Sequence, residues 1–245
     1  MPVVPDALPL SRARVARREL LALAALSGAG LLLHTTAGRG EAAGSALSCV
    51  ARPRQTEGPF FVDEPLNRSD IRSDPRSGAT KAGVPLRLVF RVSRLAGTGC
   101  APLAAARIDV WHSDAEGRYS DVRGFGGAST TGEQWLRGYQ LTDAQGAAQF
   151  LTVYPGWYGG RAVHVHFKIR AADASRGTED FTSQLYFDDR LTERIFALEP
   201  YAKRARRWLR NAEDGLYRDG GSQLLLAPEA EGRGYAASFD IALTT

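Results

Sequence analysis

Apolar and polar positions alternate with a period of two in several short stretches of this chain. Leu86, Leu88, Phe90 and Val92 are interleaved with Arg87, Val89 and Arg91, and a similar run extends from Arg107 to His112. Val163, Val165, Phe167 and Ile169 alternate with His164, His166 and Lys168. Thr182 to Phe187 and Tyr235 to Leu243 read the same way. Period two places successive side chains on opposite faces, so each stretch predicts a β-strand. Arg137–Thr142 and Ala148–Val153, separated by Asp143-Ala144-Gln145-Gly146, predict a hairpin. Leu191 to Arg210 has the one helical pattern, broken at Pro200, and its Lys203, Arg204, Arg206, Arg207 and Arg210 read as a solvated face. Short strands at this spacing, divided by turn residues, predict an all-β chain folded as a single-domain β-sandwich. The connections are uneven. Gln55 to Arg76 reads as an irregular arm, and Asp114 to Leu136 as a long Gly-rich loop of a size that is usually functional or mobile.

The N-terminus departs from this pattern. Arg12, Arg14, Arg17 and Arg18 precede the apolar run Leu20 to Leu33, and small residues follow up to Ala46. That order is the basic, apolar and cleavage region of an export signal. The apolar run falls short of the about 20 residues a membrane span needs. Ala16-Arg17-Arg18-Glu19-Leu20-Leu21 is similar to a twin-arginine signal. Residues 1–46 are therefore expected to be a removed leader, and 47–245 the folded domain. The expected location is exported, periplasmic or extracellular, with no stable membrane insertion once the leader is gone.

Composition narrows the function. The formal net charge is +4, part of it contributed by the leader, and this modest basic balance gives no argument for a nucleic-acid partner. Cys49 and Cys100 are the only cysteines. An even pair in an exported chain suggests one disulfide, and two cysteines alone do not make a structural zinc site.

The chemistry concentrates around residues 155–167. His164 and His166 share one face of a strand, which presents two imidazoles side by side as metal ligands. Tyr158, in the Pro155-Gly156 turn just upstream, offers a third donor, and Tyr119 sits beyond another strand end. Only four histidines occur, none after His166, and His34 lies in the leader. A three-histidine zinc site would have to recruit His112.

These motifs together resemble the intradiol ring-cleavage dioxygenases. Asp109-Val110-Trp111-His112-Ser113-Asp114-Ala115 followed by Gly117-Arg118-Tyr119-Ser120 is similar to the family's first tyrosine motif. Arg137-Gly138, Thr142-Asp143, Gly146, Phe150, Pro155-Gly156-Trp157-Tyr158, Arg161 and His164-Val165-His166 are similar to its central block. Thr56-Glu57-Gly58-Pro59-Phe60-Phe61 resembles the arm before the core, and Gln184-Leu185-Tyr186-Phe187 the segment behind the site. The resemblance implies one mononuclear non-haem Fe(III) per chain, held by Tyr119, Tyr158, His164 and His166. A tyrosine ordinarily titrates near about 10, and a bound trivalent cation favours its phenolate. The resemblance also implies oxidative cleavage of a catechol between its two hydroxylated carbons, with O2, to a cis,cis-muconate-type diacid. In that reading Tyr158 takes a substrate proton, Arg161 lies beside the ring, and Gln184 orients a ligand or the arginine. His112 is expected to be structural, and Trp111 and Trp157 to be walls.

The chain departs from the family pattern in four places. Ser113 stands where exported relatives often have cysteine, and Phe60-Phe61 replaces a tyrosine pair. Tyr158 and His164 are only six residues apart, a shorter link that implies a more open site. The leader occupies the part of the chain where many catechol dioxygenases carry a dimerising helical segment. The substrate's substituents and the oligomeric state stay open, a homo-oligomer included. Two other readings remain beside the dioxygenase: a non-catalytic binding module of the same fold, and a zinc hydrolase using His112, His164 and His166.

Overall fold

The structure, a computed structural model, describes residues 49–124, 127, 129–173, 177–204 and 208–243. The expected leader at 1–46 lies outside them. The strands are β1 (Pro85–Ala96), β2 (Gly99–Pro102), β3 (Arg107–Trp111), β4 (Arg137–Leu141), β5 (Ala147–Val153), β6 (His164–Asp173), β7 (Gly177–Tyr186), β8 (Glu229–Glu231) and β9 (Gly234–Leu243). The helices are α1 (Asp189–Phe196) and the single turn α2 (Gly215–Arg218), with short 3-10 turns around them. The fold is the expected all-β sandwich. Among the described residues no helix is long and apolar enough to cross a membrane.

One sheet runs β2-β1-β9-β8, with β5 also paired to β1, and the other runs β4-β3-β6-β7. In β1 the alternation works as read, with Leu86, Leu88, Phe90 and Val92 all buried and facing the core. Phe90 meets Phe150, Phe239 and Phe167 at ring separations of 6.0, 6.1 and 5.4 Å. The first three belong to one sheet and Phe167 to the other, so these rings join the two layers. Val165 and Ile169 extend the same face of β6 into the core. His164 and His166 therefore point to the opposite, outer face, yet both are buried there as well. The arm and the long loop cover that face.

The predicted hairpin does not form. β4 pairs with β3 and β5 pairs with β1, in different sheets. The turn itself is present: the Ala147 N–H reaches the Asp143 side chain at 2.8 Å, and the Gly146 carbonyl accepts the Val92 N–H at 2.8 Å. The bond to Val92 draws the chain across to the edge of the first sheet. Gly146 has φ +75°, and a Cβ there would lie 2.2 Å from the Val92 carbonyl oxygen. The segment after α1 also differs from a solvated helix face. Arg204 lies over the Trp157 ring at 4.3 Å and donates to the Trp157 carbonyl at 2.8 Å. Cys49 and Cys100 form a disulfide that ties the segment before the arm to β2.

Candidate metal centre

Strand register assembles a row of side chains on the outer face of the second sheet. Arg137 pairs with Trp111, Trp111 with His166, and His166 with Gln184, while His164 pairs with Tyr186. Paired residues in a sheet face the same side, so this row lies beneath the arm and the long loop. Trp111 stacks on His166 at 5.0 Å with only 7° between the ring planes. Arg137 fastens what lies above. It donates from Nε to Ser120 Oγ at 2.7 Å and from Nη1 to the Phe60 carbonyl at 3.1 Å. Thr130 Oγ1 donates to the Tyr119 carbonyl at 2.6 Å. Phe60, in the arm, stacks on Tyr119 at 4.4 Å. A glycine serves the arm's close approach at Gly58, where φ is +71° and a Cβ would sit 3.4 Å from the His166 ring.

Three donors converge on His164 Nε2, itself the fourth. His166 Nε2 is 3.0 Å away, the Tyr158 hydroxyl 3.1 Å and the Tyr119 hydroxyl 3.5 Å. His164 Nδ1–H donates to the Ala162 carbonyl at 2.6 Å, which leaves Nε2 as the lone-pair nitrogen. One lone pair cannot accept from His166 Nε2, the Tyr158 hydroxyl and the Tyr119 hydroxyl at once. A cation between them satisfies all four. The protonation states agree. Burial holds the His164 imidazole down to about 3, with Arg161 adding to the effect. Burial and then His164 hold His166 well below the ordinary histidine range. Both rings are thus in the neutral, ligating form. Burial raises the Tyr119 phenol well above its ordinary value. It also raises Tyr158, against the opposing pull of a hydrogen bond from Tyr119 and the charge of Arg161. Two phenols this reluctant to ionise demand a strongly polarising ion, so the donor set suits a hard, highly charged metal better than a soft one.

All six predicted site residues meet here. Arg161 donates from Nη2 to Gln184 Oε1 and to the Tyr186 hydroxyl at 3.2 Å, and from Nε to Asp214 Oδ2 at 3.0 Å. Gln184 Nε2 in turn donates to the Thr56 carbonyl of the arm at 3.0 Å. A cleft of about 200 Å³ opens beside Tyr158, lined by Trp157, Gly159, Gly160, Trp208, Leu209 and Glu213. Tyr119 is fully buried while Tyr158 is partly exposed and lines the cleft, so of the two phenols Tyr158 is the one a ligand can approach.

His112 is not part of the cluster. Its Nδ1–H donates to the Ser113 carbonyl at 2.8 Å and its Nε2 accepts from Thr152 Oγ1 at 2.6 Å. Both ring nitrogens are occupied, and among the described residues no three His, Cys, Asp or Glu side chains gather to hold a metal. That removes the three-histidine zinc site. Sequence reasoning missed Asp214 and Tyr186. Tyr186 carries a signal after the fact, because it lies two residues past Gln184 on the same strand face.

Comparison with known proteins agrees with this geometry. The profile of a family described as Dioxygenase matches residues 56–243. The chain is 28% identical over 163 residues to catechol 1,2-dioxygenase 1 of Acinetobacter lwoffii, an alignment covering 56% of this chain and 49% of that protein. It is 33% identical over 104 residues to a chlorocatechol 1,2-dioxygenase of Pseudomonas putida, covering 35% and 36% respectively. The chain thus spans half or less of the length of these curated relatives. Among solved structures, an intradiol ring-cleavage dioxygenase from Tetranychus urticae superposes with a TM-score of 0.66 at 25% identity, covering 79% of this chain and 94% of the other. The dioxygenase domain of a carbohydrate-binding fusion protein from Streptomyces sp. SirexAA-E gives 0.56 at 29% identity, covering 80% and 99%. A sandwich whose outer face gathers two tyrosines and two histidines, matched along most of its length by this profile, belongs to the intradiol dioxygenase family.

Proposed function

We propose that this protein is a non-haem Fe(III) dioxygenase that opens a catechol-type ring between its hydroxylated carbons, using O2, to a cis,cis-muconate-type diacid. The observation that carries the reading is the convergence of Tyr119, Tyr158 and His166 on His164 Nε2 within 3.5 Å. Those four side chains are the ones that would hold the ion. Bound Fe(III) would supply the Lewis acidity that keeps two phenols and a catechol ionised and the redox capacity that lets the ring react with O2.

The chain's own residues have separable tasks. Tyr119, buried and stacked under Phe60, stays in place. Tyr158 borders the cleft, and as a phenolate its Oη takes a proton from an incoming catechol hydroxyl. The charge of Arg161 acts on that same phenol and is the positive charge against which negative charge develops on the ring. Gln184 and Tyr186 hold the guanidinium from the strand side, which costs the arginine little further entropy on binding. The indole walls at Trp157 and Trp208 exclude water from one side of the ring. The basic and apolar leader supports export, so the reaction would take place in the periplasm or outside the cell.

The test is oxygen uptake and diacid formation by the iron-loaded protein with catechol, alongside Tyr158→Phe and His164→Ala. We expect turnover in the parent, and in both variants at least a 100-fold loss of rate or of bound iron with the fold retained. Iron content and turnover at parental levels in both variants would overturn the ligand assignment.

A further inference from the structure

Asp214 lies in the segment leading into α2, far in sequence from the residues it serves. Its carboxylate is 1% exposed. A buried carboxylate is costly unless its oxygens are satisfied, and the bonds that satisfy this one converge on the short link between Tyr158 and His164. Oδ2 accepts from Arg161 Nε at 3.0 Å and from the Ala162 N–H at 2.9 Å. Oδ1 accepts from the Leu216 N–H at 2.8 Å. The Ala162 carbonyl, in the same residue, is the acceptor that orients His164 Nδ1. One carboxylate therefore grips both the arginine and the residue whose carbonyl orients His164.

We propose that Asp214 is a positioning residue of the ring-cleavage site: it fixes the Arg161 fork so that the guanidinium is presented to the Tyr158 hydroxyl. The inference rests on the reading of Tyr158 as the proton-accepting ligand. An arginine side chain is rich in rotamers, and ordering it costs entropy. A single anchor on β7 would leave the fork free to rotate about that contact. Gln184 and Tyr186 hold Nη2 from β7, while Asp214 holds Nε from the C-terminal segment. Two anchors on opposite edges define the plane of the fork, and the charge it holds there acts on the Tyr158 phenol, favouring its ionised form. The ion pair is itself largely buried, with Arg161 at 17% side-chain exposure and Asp214 at 1%, so solvent does little to loosen it.

A purely structural role for Asp214, fastening the C-terminal segment, makes different predictions. The test compares the full protein with Asp214→Asn, Arg161→Lys and the double variant, with kcat normalised to bound iron. Asp214→Glu is included as the variant that keeps the charge. Displacing a positioned group by about 1 Å can cost on the order of 100-fold in rate. We expect Asp214→Asn to lower kcat about 10- to 100-fold with KM within about threefold. We expect the double variant to be no slower than Arg161→Lys alone, because both changes act through one group, and Asp214→Glu to recover part of the rate. Independent losses that multiply in the double variant, or an unchanged kcat in Asp214→Asn, would overturn the proposal. A second readout needs neither iron nor turnover. In 15N-arginine-labelled apoprotein, the Arg161 Nε–H signal, assigned by its loss in Arg161→Lys, should shift in Asp214→Asn. If wild-type iron-loaded protein cleaves no catechol, the ring-cleavage reading fails on its own. The Nε–H signal still reports the anchor then, and an unmoved signal in Asp214→Asn overturns the positioning role.

Discussion

His112 stands apart from the other two described histidines, and its burial has a measurable consequence. Its ring is fully engaged with Ser113 and Thr152, and burial lowers its titration from the ordinary 6.5 to about 4. Above pH 6.5 the imidazole is neutral in both the folded and the unfolded chain and contributes no pH dependence. As pH falls from 6.5 toward 4, the unfolded chain takes up a proton that the folded chain refuses, so stability falls with pH across that window. The shift corresponds to roughly 3 kcal/mol by pH 4. His112→Gln, which keeps a polar group toward Thr152, should flatten this dependence. Urea unfolding at pH 7 and pH 4.5 should show the parent losing roughly 2 to 3 kcal/mol more than the variant. Equal losses would mean that His112 does not titrate as its surroundings dictate. At this scale the sequence was informative where neighbours are local. Period-two alternation alone put His164 and His166 on one face. No comparable signal pointed to Asp214, because its partners lie on a turn about fifty residues earlier and only the tertiary fold brings them together.

At the scale of elements, two loops carry the two tyrosines, and they touch through glycines. Gly156 packs so closely on the other loop that a Cβ would lie 2.4 Å from the Asp114 carbonyl oxygen and 2.6 Å from that of Ala115. Gly117 makes the reciprocal approach, with a built Cβ 2.0 Å from the Trp157 carbonyl oxygen. These obstacles are backbone atoms, which cannot swing aside as a side chain can. Gly156→Ala must therefore push the Tyr119 and Tyr158 loops apart. We expect it to cost about 1 to 3 kcal/mol and to weaken iron retention against a chelator. A variant that kept both parental stability and iron retention would show that the loops are not coupled. The hairpin misreading belongs to this scale too. Asp143-Ala144-Gln145-Gly146 carries proper turn chemistry, and local chemistry is the same whether a turn joins neighbours or crosses between layers. The choice was made by the Gly146 carbonyl reaching Val92, a contact that no local pattern records.

At the scale of the whole molecule, the covalent staple and the candidate metal centre sit on different sheets. The disulfide between Cys49 and Cys100 secures β2, an edge of the sheet that lacks the histidines. Its partners are 51 residues apart, and closing a loop of that size is worth about 4 kcal/mol by chain entropy. Cys49→Ser with Cys100→Ser should lower unfolding stability by up to that amount and leave the iron chromophore unchanged. A changed chromophore would contradict the separation of layers. The sandwich itself was legible because its core strands alternate cleanly, as in β1 and β6. The short strands β2 and β8 were not, since Gly99–Pro102 and Glu229–Glu231 bury too little to leave a pattern. The central claim is that two tyrosines and two histidines hold Fe(III) on the outer face of the second sheet. The most direct test is the visible absorption spectrum of the iron-loaded protein, before and after catechol is added without oxygen. The account predicts a broad tyrosinate-to-iron band that shifts when catechol binds. A colourless protein with iron confirmed at one per chain would contradict it.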